Sequence, residues 1–215
     1  MHEAVQKIIE FGIVPVVAIH DARDAVPLAK SLAEGGLPVA EITFRTNAAE
    51  ESIRRIRKEI PEMLVGAGTI LTKDQADKAL DAGASFIMTP GFNPEIVRYA
   101  LFRGALIMPG TATPGEMEQA MAMGLHTVKF FPAELNGGVK MLKAVSAVYP
   151  DLKFIPTGGI HAGNLQEYLS LDNVVACGGT WMVKSELIKS GSFAEITRLT
   201  REAVENSMKR KGELL

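Results

Sequence analysis

Val39-Ala40-Glu41-Ile42-Thr43-Phe44-Arg45 alternates apolar and polar residues from Ala40 onward, and a longer segment at 48–59 follows it with helical periodicity. A second apolar run, Met63-Leu64-Val65-Gly66-Ala67, comes next. Strand, helix and strand in about 30 residues make a βαβ unit, which implies a parallel pair of strands. Strand side chains alternate between faces. Ala40, Ile42 and Phe44 therefore share the face toward the helices, and Glu41, Thr43 and Arg45 share the opposite face.

The same beat continues in both directions. Apolar runs fall at 13–19, 39–44, 63–67, 86–89, 106–108, 127–131, 153–156 and 174–177. Helical periodicity falls at 24–34, 48–59, 73–82, 94–103, 114–123, 139–148, 163–170 and 193–209. Asn47 before an acidic turn and Pro94 and Pro114 in first turns are start signals; Gly35, Gly83 and Gly124 are stop signals. Eight such units predict one α/β domain over 1–215, a (β/α)8 TIM barrel with an extra N-terminal helix at 1–10. A doubly wound open sheet is the structural alternative. Residues 209–215 read as a frayed tail.

At 215 residues and 47% hydrophobic, the chain can bury one sizeable core. A net charge of -2 offers no field for nucleic acid or an anionic membrane, although a local site for a small anion stays open. No apolar run approaches the length of a membrane span, and nothing resembles a secretory signal, so a cytoplasmic location is the expectation. A lone Cys177 in an apolar run excludes an internal disulfide and reads as a packing residue. Trp181 and the methionines read as packing residues too.

Two strand segments carry chemistry. An inward Glu41 and Arg45 are costly inside a barrel unless paired or used. They are either a structural ion pair, or a proton carrier and a two-pronged clamp for a carboxylate. In Thr127-Val128-Lys129-Phe130-Phe131, parity turns Val128 and Phe130 outward and Lys129 inward. An ammonium taken out of water gives up its proton more readily, and a neutral amine attacks ketones to form an imine. The alternative is a lysine that snorkels to the rim. Lys153 opens its strand and so belongs at the bottom of the barrel, whereas Lys129 lies near the C-terminal end, where barrel active sites sit. Thr157-Gly158-Gly159 and Gly178-Gly179-Thr180, after the last two strands, suit a phosphate held by backbone N–H groups. His2, His20, His126 and His161 show no metal-ligand spacing, although His20 and His161 are within range of the mouth.

Glu41-Ile42-Thr43-Phe44-Arg45-Thr46, Val65-Gly66-Ala67-Gly68-Thr69, Val128-Lys129-Phe130-Phe131-Pro132-Ala133-Glu134 and Pro156-Thr157-Gly158-Gly159-Ile160 occur together. With them the chain resembles, over nearly its whole length, the 2-keto-3-deoxy-6-phosphogluconate (KDPG) aldolases, many of which also cleave 4-hydroxy-2-oxoglutarate (KHG). The resemblance implies a class I, Schiff-base aldolase of carbohydrate metabolism on a (β/α)8 barrel, a carbon–carbon lyase of the Entner–Doudoroff pathway. It implies a homotrimer that uses no metal and no organic cofactor. By the same resemblance Lys129 forms the imine with pyruvate, and Glu41 is the general acid/base, working partly through water. Arg45 and Thr69 bind the pyruvate carboxylate, and Pro90 and Phe131 line its pocket. Thr157, Gly158, Gly159, Gly179 and Thr180 receive the phosphate. The serine that the family carries after the final glycine pair stands here as Thr180, which keeps the hydroxyl and adds a methyl.

Three rivals share these features. An aldolase for the galactonate epimer would use the same chemistry. A phosphosugar isomerase or epimerase would need acid/base groups but no imine. A phosphometabolite-binding scaffold would bind without turnover.

Overall fold

The computed structural model describes residues 2–212, with side chains described for 2–208. Helix α1 (Glu3–Phe11) comes first and precedes β1 (Ile13–Val17). Then α2 (Ala25–Glu34), β2 (Val39–Thr43), α3 (Ala49–Glu59), β3 (Leu64–Gly68) and α4 (Lys73–Asp81) alternate. They are followed by β4 (Ile87–Met88), α5 (Pro94–Phe102), β5 (Ile107–Met108), β6 (Gly110–Thr111) and α6 (Pro114–Ala122). The last elements are β7 (Thr127–Phe130), α7 (Gly138–Ser146), β8 (Lys153–Pro156), α8 (Leu165–Leu169), β9 (Cys177–Gly179), α9 (Ser185–Lys189) and α10 (Phe193–Gly212).

The strand pairs are parallel and form two sheets, ordered β5-β4-β3-β2-β1-β9 and β6-β7-β8. Pro109 separates β5 from β6 in one continuous run, because proline has no N–H for the ladder. Its carbonyl still accepts from Lys129 N at 2.9 Å. On the other side, single bridges join Phe154 to Val174 and Thr157 to Gly178. The architecture is thus a parallel α/β fold with helices packed on the sheets. No helix among the described residues is long and apolar enough to cross a membrane.

Local chemistry explains the element ends. Thr72 caps α4, Asn93 caps α5 ahead of Pro94, and Thr113 with Glu116 forms a reciprocal capping box on α6. Ala40, Ile42, Val128 and Phe130 are buried between strands and helices, as their parity requires. Phe130 meets Phe154 edge to face, with ring centroids 6.3 Å apart.

The structure corrects four expectations. Gly66, placed in a strand by the sequence, and Gly68, Gly178 and Gly179, placed after strands, all lie inside β3 and β9. At each, a neighbouring side chain fills the missing Cβ position: Phe86, Glu41, Thr157 and Trp181 respectively. The last strand is accordingly Cys177–Gly179, displaced from 174–177. Asn47 does not cap α3, which starts after Ala48 without a side-chain cap. Helix α10 runs on to Gly212, so the expected fray at 209–215 is helix as far as that residue, and 213–215 lie outside the described residues. Helix α9 had no sequence signal, being too short to display a period.

Candidate active site

A cavity of about 230 Å³ opens at the C-terminal ends of the strands. Strand β2 supplies Glu41 and Thr43, and Arg45 follows it; β7 supplies Lys129, followed by Phe131. Thr69 follows β3, Pro90 follows β4, and Thr157, Gly158 and Gly159 follow β8. Thr180 follows β9, and Val16 and Ile160 complete the wall. The residues given catalytic or binding roles by sequence line this one cavity, but Gly178 and Gly179 do not: they pair with Val14 and Pro15 in β9, and Gly179 lies beneath the Trp181 ring.

Lys129 is 5% exposed and Glu41 is 1% exposed, so their charges are out of bulk water. Lys129 Nζ donates to Glu41 Oε1 at 2.9 Å and to Oε2 at 3.1 Å. Among the described residues Glu41 therefore pairs with Lys129, and the structural Glu41–Arg45 ion pair does not form. The ammonium also lies 5.7 Å from the centre of the Phe131 ring. Removing two charges from water costs several kcal/mol per ion, and groups held at such a cost cluster at functional sites. Lys153 opens β8, its Nζ reaches Asp172 O at an exposed edge, and it does not line the cavity.

Arg45 is held differently. Its Nε donates to Thr43 Oγ1 at 3.1 Å, and that hydroxyl donates to Val17 O at 2.8 Å. The outer nitrogens of the guanidinium form no ion pair among the described residues, so a cationic edge remains at the mouth. Thr69 has φ 59°, a left-handed conformation unusual for a β-branched residue and associated with functional strain.

The end of the cavity beyond β8 is built from backbone. Gly158 and Gly159 have φ 98° and 84°, open to glycine and strained for other residues. The carbonyls of Thr157 and Gly158 face away and accept from Ala133 N (2.8 Å) and Glu134 N (3.1 Å). The N–H groups of Gly158, Gly159 and Ile160 find no acceptor among the described residues. Successive inward N–H groups of this kind make a concavity for an anion.

Thr43, Val16 and Ile160 received no role from the sequence. Thr43 shares the face of Glu41 and Arg45, a signal that was available; Val16 is recognisable only from its register opposite Glu41. His20 and His161 are exposed and neither lines the cavity; His161 Nδ1 accepts from Gly163 N at 3.1 Å. No group of three or more His, Cys, Asp or Glu side chains arranged to hold a metal occurs among the described residues.

Residues 5–199 match the family described as KDPG and KHG aldolase. The chain is 47% identical over 203 residues to a 2-dehydro-3-deoxy-phosphogluconate aldolase of Haemophilus influenzae, covering 94% of this chain and 96% of that one. It is 42% identical to the KHG/KDPG aldolase of Escherichia coli K12, covering 91% and 92%. A crystal structure of KDPG aldolase from Legionella pneumophila, with pyruvate captured at low pH as a covalent carbinolamine intermediate, superposes with a TM-score of 0.91. It is 38% identical and covers 94% of this chain and 98% of that one.

Proposed function

This chain belongs to the KDPG and KHG aldolase family, and from that premise we propose that its cavity is the Schiff-base centre of a class I aldolase. The substrates are KDPG, split to pyruvate and glyceraldehyde 3-phosphate, and KHG, split to pyruvate and glyoxylate. The observation that carries the reading is the buried contact of Lys129 Nζ with Glu41 at 2.9 Å, beside the cationic edge of Arg45.

The chemistry follows from that contact. Glu41 takes a proton from Nζ, and the neutral amine attacks C2 of the keto acid. The C2 oxygen leaves as water with the proton returned by Glu41, and a protonated imine remains. Glu41 then accepts the proton of the C4 hydroxyl. The C3–C4 bond breaks, its electron pair forms the C2–C3 double bond of the enamine, and the aldehyde departs. The proton on Glu41 passes to C3, and water releases pyruvate and restores the amine. The imine is the electron sink, so the mechanism needs no metal and no organic cofactor.

The remaining residues orient the substrate. Arg45 uses its outer nitrogens on the pyruvate carboxylate because Thr43 occupies Nε. Thr69 adds a hydroxyl, and Pro90 and Phe131 form the apolar walls. Thr157, Gly158, Gly159 and Thr180 receive the phosphate, and Gly179 supports that end from within β9.

The strands close as a single (β/α)8 domain in this reading. Support comes from the bridges of Phe154 to Val174 and Thr157 to Gly178, and from β5 and β6 running on through Pro109. We also propose a homotrimer in the cytoplasm, where phosphorylated sugar acids are made and consumed. Exposed Leu71, Phe102 and Leu135 offer apolar surface for association. Light scattering should give three times the 23.1 kDa protomer, and a single protomer mass would refute the trimer.

Turnover tests the substrate assignment. With lactate dehydrogenase as reporter of pyruvate, KDPG and KHG should be cleaved, and KDPG should be preferred over its galactonate epimer. Preference for the epimer would transfer the activity to the sister enzyme. Isomerisation of a phosphosugar without pyruvate release, or binding without turnover, would overturn it.

A further inference from the structure

Three successive peptide units form the floor of the anion-binding end. In a trans peptide the C=O and the following N–H point in opposite directions. Anchoring a carbonyl on the outside of the turn therefore aims the next N–H inward. The Thr157 carbonyl is held by Ala133 N and the Gly158 carbonyl by Glu134 N. These anchors aim the N–H groups of Gly158 and Gly159, and both are backbone atoms of the 3-10 turn at Glu134–Asn136 and its approach.

The third unit is anchored by a side chain. Asn164 Nδ2 donates to the Gly159 carbonyl at 3.0 Å, and Asn164 Oδ1 accepts from His161 N at 2.8 Å. One amide thus holds both ends of the turn from Gly159 to His161. It aims the Ile160 N–H into the cavity and turns the His161 N–H away from it, so the row of inward donors ends at Ile160. The loop beyond is fastened independently: Asn206 Nδ2 donates to the Ala162 carbonyl at 2.9 Å.

We propose that Asn164 is a positioning residue for the phosphate end of the substrate, acting through the Ile160 N–H without touching the ligand. The inference rests on the phosphate site assigned above. It makes Asn164, beside Thr157 and Thr180, a side chain on which recognition of phosphorylated over unphosphorylated substrate depends.

Asn164→Asp is nearly isosteric. It keeps the acceptor for His161 N but sets a carboxylate oxygen against the Gly159 carbonyl, which must then rotate. KM for KDPG should rise about tenfold or more, with kcat nearly unchanged. KM and kcat for KHG, which carries no phosphate, should stay within about twofold of the parent. Inorganic phosphate, as a competitor of KDPG, should inhibit the parent and lose potency in the variant. Asn164→Ala, which leaves the turn untethered without adding charge, should show the same split with a smaller rise and stands in if the aspartate variant fails to fold. Equal losses on both substrates, or an unchanged KM for KDPG, would overturn the role of Asn164. Failure of inorganic phosphate to compete in the parent enzyme would instead overturn the phosphate site itself.

Discussion

Gly68 leaves open the space that the Glu41 carboxylate fills: a Cβ at position 68 would overlap Glu41 Oε1 and Cγ. Glycine inside β3 is therefore part of the site's construction, since Gly68 pairs with Thr43 one strand away. Gly68→Ala should push the carboxylate off Lys129 and lower kcat by about a hundredfold, the range expected for a misplaced general base. Circular dichroism would check that the fold survives. Parental kcat in the folded variant would show that Glu41 need not occupy this position.

Thr43 relays the position of Arg45. Thr43→Val keeps the shape and removes the hydroxyl that holds Nε. The guanidinium then swings more freely, and KM for the keto acids should rise several-fold, by about 1 kcal/mol of lost interaction, more than kcat falls. Steady-state kinetics with KHG isolates this effect from the phosphate end. An unchanged KM would remove Thr43 from the carboxylate clamp.

Thr69 trades stability for function. Its φ of 59° costs about 1–2 kcal/mol for a residue with a Cβ, more so when branched. Thr69→Gly relieves the strain and gives back about 0.5–1 kcal/mol in unfolded-state entropy. Urea unfolding should therefore show equal or slightly higher stability, while loss of the hydroxyl raises KM for the keto acid. A clear drop in stability would mean that the backbone at Thr69 is not strained.

The capping box on α6 is independent of the chemistry. Glu116 Oε2 accepts from Thr113 N at 2.9 Å and from Ala112 N at 2.8 Å, and Thr113 Oγ1 accepts from Glu116 N. Thr113→Ala should cost about 1 kcal/mol of folding stability and leave kcat/KM unaltered. A loss of activity at full folding would connect this cap to the site.

Parity made half of the site legible. Alternation in β2 and β7 put Glu41, Arg45 and Lys129 on inner faces, because each side chain follows its own backbone without reference to the rest of the fold. The pairing of Lys129 with Glu41 could not be read, since it joins strands 88 residues apart in separate sheets. The sequence equally allowed a Glu41–Arg45 pair. Glycines at 68, 178 and 179 misled the strand ends, because whether glycine sits in a strand or a loop depends on the neighbour that fills its empty Cβ position. Asn164 carried no signal, since its two partners are backbone atoms that only the folded turn brings within reach.

Trapping with pyruvate and sodium borohydride tests directly whether Lys129 forms the imine. The imine is reduced to a stable secondary amine, and peptide mass analysis locates it. A pyruvate adduct is expected on the peptide containing Lys129, on no other lysine-containing peptide, and none in Lys129→Ala. An enzyme that turns over KDPG while its Lys129 peptide stays unmodified would contradict imine formation at Lys129.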